Sequence, residues 1–358
     1  MKKIVIIAGG SGGHVIPGLS IYDHLKKISK ISIVTDHRGA KFINKEHYQF
    51  SLIDVPNMYS NIFLFPFKIF KFIISIIKSI LFFKKEKFDI LISTGGYMSV
   101  PFCIAAYILN LKIILFEPNT VLGRSNKFML KFCKKIICYH QNIKLYPKKY
   151  QNKKYILDPI LRKDIYSIKK NEKNEIPDLK KILIIGGSQG SKFLDENIVK
   201  LIIKVSETFR IKLYQQVFDQ NKKNLIKKKY DEINIESKLF NFDNNIYEIY
   251  NDIDLAITRS GASAIAELSY FNIPFIAIPF PYSKDNHQYY NAEAYVKEEC
   301  CWLINQNEYK IQNLNDLIIK LFTEKEEYLQ KKNNLLKKTN QNTWNNINTK
   351  LIELINEN

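Results

Sequence analysis

The chain reads as α/β, two doubly wound parallel-sheet domains in tandem. Three observations predict this. Short apolar, β-branched runs alternate with helical stretches, and the alternation restarts near residue 180. Two of those runs, Ile4-Val5-Ile6-Ile7 and Ile182-Leu183-Ile184-Ile185, each lead straight into a glycine-rich turn. A length of 358 residues, 46% of them apolar, suffices for two separate cores.

In the first half, strands are expected at 3–8, 31–35, 50–55, 88–93, 111–117 and 135–139. Each is a short, mainly apolar segment, and the first is the kind of run that a strand buried on both faces requires. Helices are expected near 17–28, 62–85, 99–110 and 121–132. Residues 141–180 are rich in Lys, Asn, Pro and Tyr without periodicity and read as linker, with the boundary at 160/161. The second half repeats the pattern, with strands at 181–186, 211–217, 236–240, 253–258, 274–279 and 300–304. The segment 342–356 places Trp344, Ile347, Leu351 and Leu354 at helical spacing, an amphipathic helix able to cap its own domain or cross back to the first.

The turns Gly9-Gly10-Ser11-Gly12-Gly13-His14 and Gly186-Gly187-Ser188-Gln189-Gly190-Ser191 join strand to helix. Such a junction aims backbone N–H groups and a helix N-terminus at one spot, which suits a phosphate or diphosphate. Neither is a dinucleotide fingerprint or a P-loop: Val15 stands where the third glycine belongs, and no Gly-Lys-Ser/Thr follows. Pro17 is expected in the first turn of its helix. His14 at the helix entrance could take a proton from an attacking hydroxyl. A helix-start histidine bonded to a carbonyl fits the spacing equally well.

The formal net charge of +19 points to an anionic partner, although much of the lysine fits solvated surface. Residues 62–83 set phenylalanines and isoleucines among Lys68, Lys71 and Lys78. A central lysine costs roughly 2.5–3.5 kcal/mol in a bilayer, so a spanning helix is rejected. Phe67, Phe70, Ile74, Ile77 and Phe82, with those lysines, instead form an expected patch for an anionic membrane surface. The five cysteines show no metal-ligand spacing and read as buried thiols in a reducing compartment. Met1-Lys2-Lys3 runs directly into the first strand, leaving no room for a signal peptide.

Further clusters end strands: Gly95-Gly96-Tyr97, Phe116-Glu117-Pro118-Asn119, and Arg259-Ser260-Gly261-Ala262 through Glu267. Glu267 could accept bonds from two vicinal hydroxyls, and Gln288 with Asn291 could read sugar hydroxyls. Taken in order with both glycine turns and Asp285-Asn286-His287-Gln288, these motifs resemble glycosyltransferase family 28, over nearly the whole chain.

The resemblance implies a GT-B fold, two Rossmann-like domains facing a cleft. It implies an inverting enzyme of peptidoglycan synthesis, and hence of cell shape and division. GlcNAc would pass from UDP-GlcNAc to the C4 hydroxyl of undecaprenyl-diphosphate-MurNAc-pentapeptide (lipid I). His14 is carried over as the base, with Glu117 second. Donor contacts carried over are Asn119, Arg162, Ser188, Asp243 beside Phe242, Ala262, Ser263, Ala264, Ile265, Ala266, Glu267 and Gln288. Ser11, Gly12 and Gly13 enter as donor contacts that also lie near the acceptor's diphosphate, while Gly95, Gly96 and Tyr97 sit on the acceptor side. The implied location is peripheral, on the cytoplasmic face of the inner membrane, with no cofactor, no metal and no nucleic acid.

The chain departs from the family pattern at three places. Ser11 replaces threonine, Phe116 and Pro118 replace His and Gln, and Asp158 with an extra residue alters the approach to Arg162. Two rivals are a related transferase acting on another lipid such as diacylglycerol, and a non-enzymatic basic binder of membrane or nucleic acid. The second leaves the paired turns unexplained.

Overall fold

The structure is a computed structural model that describes residues 1–56, 65–170, 175–187, 190–241, 243 and 245–357. The chain divides into two compact units, Met1–Tyr166 with Thr343–Asn358, and Ser167–Asn342.

The first unit runs β1 (Lys3–Ile7), α1 (Gly12–Leu25), β2 (Lys30–Thr35), β3 (Phe50–Leu52), α2 (Phe65–Glu86), β4 (Ile90–Ser93) and α3 (Ser99–Ile108). It continues through β5 (Lys112–Glu117), α4 (Arg124–Met129), β6 (Lys135–Cys138), β7 (Lys154–Ile156) and α5 (Lys163–Ser167). All seven strands are parallel, in the order β3-β2-β1-β4-β5-β6-β7. The strand order reverses between β1 and β4, and ligands of such sheets bind beyond the strand carboxyl ends at that reversal. The turn 9–14 leaves β1 and Gly95-Gly96-Tyr97 leaves β4, so both flank the switch point.

The second unit runs β8 (Lys180–Ile185), α6 (Lys192–Ser206), β9 (Ile211–Gln216), α7 (Gln220–Asp231), β10 (Glu236–Phe240), β11 (Leu255–Thr258) and α8 (Ala262–Tyr270). It then runs β12 (Phe275–Ala277), α9 (His287–Lys297), β13 (Cys301–Leu303), α10 (Ile311–Thr323) and α11 (Glu326–Thr339). Its parallel order, β10-β9-β8-β11-β12-β13, repeats that of the first sheet. Here the switch point lies between the ends of β8 and β11. Each sheet packs its β-branched runs at or near zero exposure, for example Ile4 to Ile7 and Ile182 to Ile184.

The last helix, α12 (Trp344–Asn356), joins the first unit. Ile347, Leu351, Leu354 and Ile355 pack among Ile4, Ile6, Ile21, Leu25, Ile90 and Ile114. Trp344 stacks on His24 at 3.6 Å between ring centroids, and Tyr166 meets Trp344 edge-on at 5.6 Å. These contacts carry the first unit to Tyr166, beyond the 160/161 boundary read from sequence. The Nζ of Lys112 and of Lys2 donate to the carbonyls of Leu354 and Ile355 at 2.9 and 2.6 Å, placing cations at the negative helix end.

Two sequence readings are corrected. Helix α1 begins at Gly12, so Pro17 lies inside it and not in its first turn. Ser11 supplies the extended N-cap, and its carbonyl accepts from His14 and Val15 N–H. The N–H that Pro17 lacks would have served the carbonyl of exposed Gly13. The stretch 141–180 is not all linker, because Lys154–Ile156 adds an edge strand beside β6. All five cysteines are buried and free, and burial raises each thiol pKa.

Candidate active site

At the first switch point, backbone shape and side-chain placement depend on each other. Gly95 and Gly96 adopt positive φ of 91° and 79°, and a Cβ on either would sit about 3.4–3.5 Å from the His14 ring. His14 therefore lies close against backbone that only glycine readily provides. Its Nδ1 is 2.7 Å from the Thr94 carbonyl oxygen. A carbonyl only accepts, so Nδ1 carries the proton and the neutral ring has its lone pair on Nε2. The carbonyl-bonded histidine and the proton acceptor are thus compatible, because the bond fixes the basic tautomer.

The first turn is pinned from β2. Asp36 Oδ1 accepts from Gly10 and Gly39 N–H, each at 2.8 Å, and Oδ2 accepts from Arg38 Nε and Nη2. Burial alone would raise the Asp36 pKa; the backbone bonds from Gly10 and Gly39, then Arg38, outweigh it and hold it low. Sequence reasoning missed this residue. Its signal is an acidic side chain just past the second strand of a glycine-turn unit, the place where dinucleotide folds keep a ribose-binding carboxylate. Ser11 makes no side-chain capping bond, which leaves the first N–H groups of α1 without that partner.

Glu117 is 3% exposed and fully engaged. One oxygen accepts from Asn119 N–H and Nδ2 at 3.3 and 3.0 Å, the other from Gly123 N–H and Asn126 Nδ2 at 2.7 and 3.0 Å. With two donors already on each oxygen, the geometry favours an anchoring role for Glu117 over that of a base. It shapes the loop that carries Asn119. Asn126 Nδ2 also donates to the Phe116 carbonyl at 2.9 Å, while the Phe116 ring is buried against Tyr139. The loop thus keeps its bonding despite Phe116 and Pro118.

In the second unit, Gln216 at the end of β9 does by an amide what Asp36 does by a carboxylate. Its Oε1 accepts from Gly186 N–H at 2.9 Å and its Nε2 donates to the Gly187 carbonyl at 3.0 Å. Ser191 caps α6 by accepting from Leu194 N–H. Arg259, 4% exposed, donates from Nε to Ser191 Oγ at 3.1 Å, and from Nη1 to the Ile278 and Pro279 carbonyls. Its Nη2 reaches Gln306 Oε1 at 2.7 Å, so every acceptor is neutral. Burial pulls its pKa down to about 10, leaving a buried cation beside the turn. Helix α8 starts at Gly261 with no side-chain cap and no acidic residue in its first turn.

The remaining expected residues divide by environment. Ala262, Ser263 and Ala264 are half-buried, whereas Ile265 and Ala266 are packed in the core. Glu267 is 8% exposed and accepts from Tyr250 OH at 3.1 Å. Gln288 accepts from Phe280 N–H at 3.0 Å. Asn291 is buried and donates to the Ser260 carbonyl at 3.1 Å. Asp243 accepts from Asn245 N–H. Arg162 is half-buried in the first unit, just before α5. Ser188 and Phe242 lie outside the described residues.

Helix α2 is inverted relative to an ordinary surface helix. Ser75 and Ser79 are buried, each bonding the carbonyl four residues back, while Phe67, Phe70, Ile73, Ile77 and Leu81 are exposed. Lys71 and Lys78 are exposed among them, Lys68 is half-exposed, and Lys71 Nζ lies 4.5 Å over the Phe67 ring. Ile74 is half-buried, and Phe82 packs on Phe83 and Phe88, so these two belong more to the core than to the patch. Ile73 and Leu81 take their place. Among the described residues no helix is long and apolar enough to cross a membrane.

Two Rossmann-like units, each with a glycine turn at its switch point, define the GT-B fold class. The model of the glycosyltransferase family 28 N-terminal domain matches residues 4–138, and that of the C-terminal domain matches 181–347. The chain belongs to glycosyltransferase family 28. It is 47% identical over 357 residues to the UDP-N-acetylglucosamine--N-acetylmuramyl-(pentapeptide) pyrophosphoryl-undecaprenol N-acetylglucosamine transferase of Pelagibacter ubique (strain HTCC1062), covering 100% of this chain and 99% of that one. The enzyme of the same name from Rickettsia canadensis (strain McKiel) is 35% identical, covering 94% of this chain and 96% of its own. The crystal structure of Acinetobacter baumannii MurG superposes with a TM-score of 0.79 at 20% identity, covering 99% of this chain and 100% of that one.

Proposed function

We propose that this chain moves GlcNAc from UDP-GlcNAc to the C4 hydroxyl of the MurNAc in undecaprenyl-diphosphate-MurNAc-pentapeptide. The observation that carries the reading is the 47% identity to the Pelagibacter ubique transferase along 100% of the chain, through both units. His14 Nε2 takes the proton of the C4 hydroxyl, its tautomer set by the Nδ1 bond to Thr94. The hydroxyl oxygen bonds to the anomeric carbon as the bond to the diphosphate oxygen breaks, inverting that carbon. UDP leaves with the electron pair, and the imidazolium returns its proton to solvent.

The second unit holds the donor. The turn 186–191 with Ser188, the N-terminus of α8 at Ala262 to Ala264, Asp243, Glu267 on the ribose and Gln288 on the GlcNAc are its contacts. Backbone N–H groups and the buried Arg259 favour the growing negative charge on UDP. In the first unit Ser11, Gly12 and Gly13 meet the acceptor's diphosphate, Gly95, Gly96 and Tyr97 meet its sugar side, and Asn119 and Arg162 reach the donor. Glu117 acts as a positioning residue through its hold on Asn119. No nucleic acid partner is involved.

The outward face of α2 docks on an anionic membrane, on its cytoplasmic side. Its exposed phenylalanines and isoleucines enter the interface while the lysines meet head groups. UDP release from UDP-GlcNAc, with and without the lipid-linked acceptor, tests the reaction; release that ignores the acceptor rejects it. Sedimentation with anionic vesicles tests the docking, which Ile73→Ser with Ile77→Ser should weaken at unchanged thermal stability.

A further inference from the structure

Arg38 ties together two segments that lie far apart in sequence. Its Nε and Nη2 bond Asp36 Oδ2 at 3.3 and 3.2 Å, and the same Nη2 donates to Tyr97 OH at 2.5 Å. The guanidinium also lies 5.2 Å from the centre of the Tyr97 ring. The same Nη2 comes within 3.4 Å of where a Cβ on Gly10 would stand. Asp36 in turn holds Gly10 N–H at 2.8 Å. A continuous chain of bonds therefore runs from the Gly10 turn through Asp36 and Arg38 to Tyr97.

The link is built for fixing position. Asp36 is 4% exposed in its side chain, yet the Arg38 side chain it grips is 53% exposed. A half-exposed arginine ordinarily samples many rotamers, and tying one down costs conformational entropy. Here three contacts offset that cost, with the planar fork spanning a carboxylate and a phenol at once. Both ends of the chain lie at the switch point of the first sheet, the acceptor half of the reaction.

We propose that Arg38 is a positioning residue for the acceptor, locking Tyr97 to the first glycine turn so that the two present one surface. The proposal rests on the transferase reading above. It is tested by steady-state kinetics of the full chain, varying lipid-linked MurNAc acceptor and UDP-GlcNAc separately. Arg38→Ala and Tyr97→Phe should each raise the acceptor KM about tenfold and leave the donor KM within about twofold. The double variant should be no worse than the more damaging single one, because both cut the same link. Arg38→Lys should recover only part of the loss, since an ammonium gives up the second bond from Nε and the planar contact with the Tyr97 ring.

Additive effects in the double variant, equal shifts in both KM values, or an unmoved acceptor KM would each overturn the proposal. Thermal melting of each variant separates loss of the link from loss of the fold. Should Arg38→Ala fail to fold, Tyr97→Phe removes the far end of the link and carries the test. A wild-type protein without acceptor-dependent UDP release overturns the transferase reading and this inference with it. An active wild type whose acceptor KM ignores both substitutions overturns this inference alone.

Discussion

The turn after β1 and the turn after β8 both join a strand to a helix, and they differ in how charge surrounds them. Each follows a strand at the switch point of its sheet, opens a helix and is pinned from the end of the neighbouring strand. The first is pinned by a carboxylate, Asp36, whose partner Arg38 reaches solvent; the second by a neutral amide, Gln216, with a buried guanidinium beside it. The first helix lacks a side-chain cap and carries His14; the second is capped by Ser191. A repeated fold supplies two N-termini at two switch points. What each can do is decided by a handful of polar side chains that the repeat does not conserve within this chain.

The largest way to break the comparison is His14→Ala. Turnover should fall about 10²- to 10⁴-fold with the donor KM unchanged, read from UDP release, because no group in the second turn can replace a base. Near-normal turnover would remove His14 from that role. Next, Gly186→Ala should damage the donor side: its Cβ would stand 2.5 Å from the backbone of Gly190 and Ser191, so the turn itself must move. A donor KM raised about tenfold or more, with a lowered melting temperature, is the expected result.

The two pins can be weighed directly. Asp36→Ala should cost about 2–4 kcal/mol in urea unfolding, because it abandons charge-assisted bonds to two backbone N–H groups and to Arg38. Gln216→Ala should cost about 1–2 kcal/mol, the range for neutral bonds. Equal costs would mean that the charge on the first pin adds nothing.

The smallest effect is one of pH. The pKa of Asp36 is lowered on folding, so its contribution is present above the ordinary carboxylate range and is lost as pH falls through the folded value. Hydrogen exchange at Gly10 and Gly39 should quicken there while Gly186 stays protected, and Asp36→Asn should abolish the difference. His24 acts at higher pH. Burial lowers its pKa to about 4, with Asn348 and Asp23 opposing weakly. The unfolded chain therefore binds the extra proton first, and stability falls as pH drops from about 6.5 to about 4. His24→Gln should flatten that slope.

Much of this was legible in the residues, and what was missed has a common cause. Strands such as Ile4 to Ile7 announce themselves because a strand buried on both faces must be apolar throughout. Lys154-Tyr155-Ile156 could not, being three residues long on an edge and held partly by Tyr155 OH on the Lys350 carbonyl. The glycine turns were readable because their backbone shape excludes other residues. Asp36, Arg38 and Gln216 were not, since a polar residue at a strand end gains meaning only when another strand lies beside it. Glu117 was found but read as chemistry, and only its four donors reveal a structural anchor. Helix α2 was recognised from its surplus of phenylalanine, although which residues face outward depends on the buried positions of Ser75 and Ser79.

The return of α12 to the first unit sets an order of assembly. Ile347, Leu351, Leu354 and Ile355 complete one face of the core built on Ile4, Ile6 and Ile90. During synthesis that face stays uncovered until the entire second unit, through Asn342, has left the ribosome. The unit made first is thus the unit finished last, and its half-built sheet must wait without aggregating. A nascent chain released before α12 emerges should therefore be cut by protease within the first unit while the second already resists.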